Sequence, residues 1–251
     1  MNALTFAKSR LIVRSRIAAE RPLSGSRILI PTCIALLVVA ASPAQAEDED
    51  AQVWTSLTVS KSVTPKVDAT LEVHGRFTDD VSRFGQLLIR PSLTYKLAHG
   101  WSLTGGYAFI RTRFAGAAPH EEHRLWEQVG YTFVQNKKTA LSVGGRTRIE
   151  QRFRVGGDQV GWRLRQQFRA QLPLTATGSL RAVLWNETFV QLNDTDWGAR
   201  SGVDQTRTFV GVGLPVGSRI TVEPGYLNQI VYRPGPNRMN HIAALNIFAR
   251  F

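Results

Sequence analysis

MNHIAALNIFARF, residues 239–251, decides the fold. Counting back by two from Phe251 gives Ala249, Ile247, Leu245 and Ala243, a wholly apolar row. The other parity holds Arg250, Phe248, Asn246, Ala244, Ile242 and Asn240, which is mixed. Successive side chains of a strand point to opposite faces, so the stretch reads as a strand with two unlike faces. One face suits lipid and the other a polar interior.

Working back from this end, the same period of two recurs. Residues 66–77 place Val67, Ala69, Leu71, Val73, Gly75 and Phe77 on one face. Lys66, Asp68, Thr70, Glu72, His74 and Arg76 lie on the other. A helix would scatter these apolar residues around its circumference, so the strand reading wins. Further segments follow at 85–97, 101–113, 124–134, 139–154, 162–172, 179–190, 206–214 and 219–232, with a shorter one at 53–59. The sum is eleven segments of about the 9–11 residues that a tilted membrane strand needs. Pro91, in mid-segment, removes a ladder donor and predicts a bulge or strand end. The expectation is an all-β, antiparallel, up-and-down transmembrane barrel of about ten strands, range 10–12. Bacterial barrels favour even counts; a count of ten leaves 53–59 as a partial strand or a lumenal segment, and one further strand would make twelve. With Phe251 on the periplasmic side, connections near 98–100, 136–138, 175–178 and 215–218 are periplasmic turns. Those near Asp79, Ala115, Gly156, Asp194 and Pro234 are external loops. Trp101, Tyr131, Trp162, Tyr226 and Tyr232 near strand ends read as interfacial girdles.

Hydropathy averaged over the chain is only −0.14, but alternation makes barrels look bland by this measure. One continuous apolar run occurs, at 28–40, after Arg21 and Arg27 and before Ala44-Gln45-Ala46. That is the pattern of a cleaved secretory leader, residues 1–46, leaving 47–251 as a single barrel domain. Cys33, the only cysteine, falls inside the leader. Apolar sequence continues beyond it, which argues against a lipid-anchored cysteine. The remaining chain then has no thiol for a disulfide or a metal. The leader carries six basic residues against Glu20, so the formal charge of +12 drops to +7 without it. Arginines spaced on alternate strand positions in a secreted chain argue against nucleic acid as the partner.

The strongest chemical signal is the hairpin from Arg146 to Arg169. Its inward rows hold Arg146, Arg148, Arg152, Arg154, Arg163, Arg165 and Arg169 around Glu150. Enclosed cations need partners, and Glu72, Asp68, Glu187 and Glu223 on other strands are candidates. Two readings compete. In one, an internal ion-pair ladder fills a small barrel in place of an apolar core. In the other, the lumen attracts anions or holds phosphate and carboxylate groups, including lipopolysaccharide phosphates. Five histidines are scattered, and His120-Glu121-Glu122-His123 is the only His-acid cluster. Two residues separate its histidines, where the HExxH zinc motif has three, and it sits on an expected solvated loop. No catalytic, cofactor-binding or metal-binding residue is expected.

The final strand with its terminal Phe251 resembles the closing strand of bacterial outer-membrane barrels, whose last aromatic residue helps the assembly machinery recognise the chain. Over most of the chain after Arg124, the stretches LWEQVGYTF, GGRTRIEQRF, WRLRQQFRAQLPL, WNETFVQL, QTRTFVGVGLP, EPGYLNQ and NHIAALNIFARF resemble the bacterial domain-of-unknown-function family 2490. That resemblance implies a monomeric outer-membrane barrel without known enzyme activity, and supplies no site residues. The partners it implies are outer-membrane lipid and lipopolysaccharide, the barrel-assembly machinery and periplasmic chaperones. The alternatives are an outer-membrane lipid hydrolase and a soluble periplasmic β-barrel binding protein.

Overall fold

A computed structural model describes residues 48–136, 138 and 141–251; the expected leader lies outside the described residues. Eleven strands run in chain order: β1 (Asp48–Thr64), β2 (Val67–Thr78), β3 (Arg83–Lys96), β4 (Trp101–Thr112), β5 (His120–Asn136), β6 (Leu141–Arg154), β7 (Gly161–Pro173), β8 (Arg181–Gln191), β9 (Gly202–Val216), β10 (Ile220–Val231) and β11 (Arg238–Arg250). Each pairs antiparallel with its chain neighbours, and β1 closes the barrel by pairing in parallel with β11.

The all-β barrel therefore stands, and the count falls inside the expected range but at eleven. The segment expected to be a partial strand is β1, 17 residues long. It pairs from Asp48↔Arg238 to Ser60↔Arg250 on one side, and from Val53↔Phe77 to Thr64↔Val67 on the other. Its polar beginning and its Ser-Lys-Ser end hide its length in the sequence. An odd number of strands makes the closing pair parallel by necessity. It also separates the ends of the barrel chain. Asp48 lies among the longer connections, where Arg233 Nη2 reaches Asp48 Oδ2 at 2.7 Å. Phe251 lies at the opposite mouth, its N–H donating to Ser60 O at 2.9 Å. The first mouth is called the loop end below and the second the turn end.

Both prolines in mid-strand keep their strands intact. Pro91 pairs with Leu71 on the β2 side, while the β3–β4 ladder skips it, resuming at Ser92↔Gly106 in unchanged register. Pro224 does the same, paired to Leu245 of β11 and skipped on the β9 side. The missing donor costs a local gap on one side and no bulge.

Alternation sorts the side chains as the sequence suggests. Outward positions leave large apolar groups uncovered: Leu93 is 59% exposed, Phe168 56% and Val210 51%. Inward positions are mostly polar, with two apolar clusters. One joins Val183, Phe209, Leu227, Ile242 and Ala244, flanked by Trp54 and Trp185. The other joins Leu88, Ala108, Ile110 and Trp126. These explain why the inward row of the last strand is mixed: Ile242 and Ala244 belong to the first cluster. Glycine makes room for the second. A Cβ at Gly106 would strike the indole of Trp126 and lie 2.9 Å from Pro91 O.

Candidate functional site

The polar interior is built from cross-strand neighbours. On β6 and β7, Glu150 pairs in register with Arg163, and Arg148 with Arg165. Glu150 is 2% exposed and accepts from Arg163 Nη2 at 2.7 Å and from Arg165 Nη1 at 2.6 Å. Arg165 bridges onward, donating from Nη2 to both oxygens of Glu187 at 2.8 Å. Arg146 reaches the same carboxylate at 3.3 Å. Guanidinium forks meeting carboxylates in this way form strong, directional bonds. Arg148 lies 3.8 Å from Glu150, bonds to the Gln128 side chain at 2.8 Å, and stacks 3.8 Å above the Trp126 ring.

The rest of the arginine hairpin divides between the two ends. Arg152 pairs with Glu122 at 2.6 Å, and Arg154 bonds to His120 at 2.7 Å and to Trp197 O at 3.1 Å, all toward the loop end. Arg169 holds Glu223 through two contacts of 2.6 and 2.7 Å toward the turn end. Glu187 and Glu223, two of the candidate carboxylates, thus contact arginines of the hairpin. Glu72 and Asp68 do not: Glu72 pairs with its cross-strand neighbour Arg90 and with His74, and Asp68 with Lys96.

Several members escape a reading centred on the hairpin. Glu122 lies in the His-Glu-Glu-His run expected to be a solvated loop. That run begins β5 instead, because Glu121 and Glu122 extend the ladder opposite Arg111 and Ile110. Glu122 therefore points inward and holds both Arg124 and Arg152. Asp204, Arg90, Arg124, Arg76 and Arg207 also belong to the interior. Parity is the signal that finds them: Glu72 and Arg90 share one face of adjacent strands, paired in register.

Above this network, a cavity of about 910 Å³ opens toward the loop end. Its wall includes the loop residues Asp79, Phe114, Trp197 and Arg233, and descends to Ala244 and Asn246. The inward residues of the turn end, such as Lys96, Arg169 and Glu223, are not part of it. Fourteen arginines and six carboxylates line it, so the wall carries a cationic excess of eight. Trp197 forms part of the rim. Its loop is clasped to the β6–β7 connection: Trp197 Nε1 donates to Gln159 O at 2.8 Å, and the Asp158 and Gln159 N–H groups donate to Asp196 at 2.9 and 3.1 Å. The Asp158 N–H, with its neighbour, holds the Asp196 carboxyl below the usual carboxylate range. The Ser201 N–H does the same for Asp194.

Among the described residues, no group of three or more His, Asp or Glu side chains is placed to hold a metal ion. His123 and His241 face outward, bonded to Tyr107 at 2.5 Å and Tyr226 at 2.6 Å. The chain matches the family model described as "Protein of unknown function (DUF2490)" over residues 51–240. It is also 36% identical over 218 residues to an uncharacterized protein of Methylorubrum extorquens, covering 86% of this chain and 94% of the relative.

Proposed function

We propose, for a chain that belongs to the DUF2490 family, an integral outer-membrane barrel whose interior attracts anions at the loop end and is stopped below by ion pairs. The observation that carries the membrane reading is the outward belt. Leu57, Leu71, Leu103, Val129, Leu184 and Leu245 join Leu93, Phe168 and Val210 as exposed apolar side chains on neighbouring strands. Water would penalise such a belt, at about 25 cal/mol per Å² of apolar surface, while lipid tails accept it. Trp101 and Tyr131, with ring centroids 5.7 Å apart near the turn end, suit one interface; Trp162 and Tyr232 near the loop end suit the other. In this reading the lipid belt is the main partner, the barrel is a monomer, and Phe251 presents the assembly signal at the periplasmic mouth.

The interior supports binding more than conduction. Arg165, held by both Glu150 and Glu187, lines the cavity with Arg146 and Arg163, and in this reading the group forms its floor. Such a floor has no spare carboxylate to release, while the wall above it is cationic. The role is non-enzymatic: the site concentrates anions through its field. Two measurements test it. The protein should need detergent for extraction and migrate faster on gels before heating than after. Release by osmotic shock without detergent would instead support a soluble binding protein. In planar bilayers it should give no steady through-conductance; a large open-channel current at ordinary salt would sink the stopped-cavity reading.

A further inference from the structure

Two enclosed guanidiniums of the cavity wall make no direct ion pair of the kind that holds Arg146, Arg163 and Arg165. Arg76 of β2 donates from Nη1 to Gln86 Oε1 at 2.6 Å, and Arg207 of β9 donates from Nη2 to Gln205 Oε1 at 3.1 Å. Neither forms an ion pair among the described residues. The reason is visible in the register. Arg207 faces Glu187 across the β8–β9 ladder and feels its charge through space, but that carboxylate accepts its hydrogen bonds from Arg165 and Arg146. Arg76 faces Trp54 on one side and Gln86 on the other. Two enclosed cations with neutral partners are costly unless an anion joins them.

Both are gathered on one indole. The Arg76 guanidinium carbon is 3.7 Å from the Trp54 ring centroid and that of Arg207 is 4.9 Å away, with Arg207 also 4.6 Å from Phe189. Aromatic faces offset part of a cation's lost solvation, and supply no counter-charge. The Nε of each arginine is occluded without a partner. Nη2 of Arg76 and Nη1 of Arg207 have no protein acceptor and are not among the occluded atoms, so they are left to the cavity. Beside them Trp54 continues into the apolar cluster through Leu227 and Ala244, which also line the cavity. A cationic pair thus meets a flat apolar wall inside a space of ordinary ligand-pocket size.

We propose that Arg76 and Arg207, set against Trp54, form a binding site for a small organic anion: a carboxylate or phosphate head on an aromatic or similarly flat apolar body. The site rests on the cavity reading above and adds to it the ligand class and the residues. Neutral molecules of the same shape leave the two cations unanswered, and bare anions leave the apolar wall in water. Selectivity therefore requires both parts.

Calorimetric titration of the full barrel in detergent tests this. Benzoate and phenyl phosphate should bind. Benzyl alcohol, acetate and inorganic phosphate should bind at least about tenfold more weakly, since a charge-assisted hydrogen bond or a buried ring is each worth that much. Arg76→Gln and Arg207→Gln should each weaken benzoate by about tenfold or more. Their thermal midpoints should stay level or rise, because each removes an enclosed charge that no carboxylate holds by a hydrogen bond. No binding of either aromatic anion would overturn the proposal, as would wild-type affinity in both variants. Inorganic phosphate binding as tightly as phenyl phosphate would overturn the two-part ligand. If a variant fails to fold, quenching of wild-type tryptophan fluorescence by benzoate decides. Quenching lost in Trp54→Phe supports the site, and equal quenching there overturns it. A barrel that stays heat-modifiable and detergent-dependent yet binds nothing loses this site alone. Loss of those two properties removes the membrane reading first.

Discussion

Single residues carry unequal shares of this barrel. Glu150 answers two arginines directly, so Glu150→Gln leaves Arg163 and Arg165 short of a carboxylate in an enclosed space. Breaking one side of a buried pair costs about 3–5 kcal/mol. The urea midpoint for unfolding from lipid vesicles should fall accordingly; an unchanged midpoint would mean the network is solvated and energetically idle. Val81 is a different case. It follows Asp79 and Asp80 through three successive left-handed residues, at φ 55°, 51° and 64°. The N–H groups of Asp79 and Asp80 donate to the Asp50 carboxylate at 3.3 and 2.8 Å. That anchor accounts for the two aspartates. A β-branched residue gains nothing there and carries the steric penalty. Val81→Gly should therefore stabilise the protein by roughly 1 kcal/mol, read as a higher thermal midpoint. None of this strain is legible in Asp-Asp-Val. The ion pairs were partly legible, because parity assigns faces, but parity does not say which of two inward carboxylates a guanidinium will choose.

At the scale of elements, the loops are ordered by acids acting on backbone. Asp196 bonds the N–H groups of Asp158 and Gln159, and its carboxyl titrates below the usual range. A depressed folded-state value means the clasp is complete above the ordinary carboxylate pKa, about 4. It is lost as pH falls through the depressed value. Exchange protection of the Asp158 and Gln159 amides should thus be constant from neutrality down to about pH 4 and fall below it. In Asp196→Asn it should already be low at neutral pH; equal protection in both proteins would remove the carboxylate from the clasp. The strands themselves were the most legible elements, since β2 alternates cleanly and one parity of β11 is wholly apolar. β1 was cut short by its polar termini, and β5 was entered late because two histidines and two glutamates look like a loop until their partner strand is known. Pro91 shows the same limit: its missing donor was readable, but not that a one-sided gap would absorb it.

For the whole molecule, what the sequence could not reveal is the seam. Pairing between the first and last strands spans nearly the full domain, and no local pattern distinguishes parallel from antiparallel closure. The seam fixes a testable arrangement. Asp48 and Phe251 occupy opposite mouths, and the described residues contain no cysteine. In cells, a cysteine placed at Glu49 should react with a membrane-impermeant maleimide added outside. One placed at Arg219, beside the Phe251 ring, should react only after the outer membrane is opened. Labelling of both from outside, or of neither, would contradict the combination of eleven strands and a spanning barrel. The odd count also bears on descent. Duplicating or deleting a hairpin changes the number of strands by two and returns the chain to the mouth it left. That route alone never arrives at eleven from an even count, so descent from an even-stranded barrel would require the gain or loss of a solitary strand.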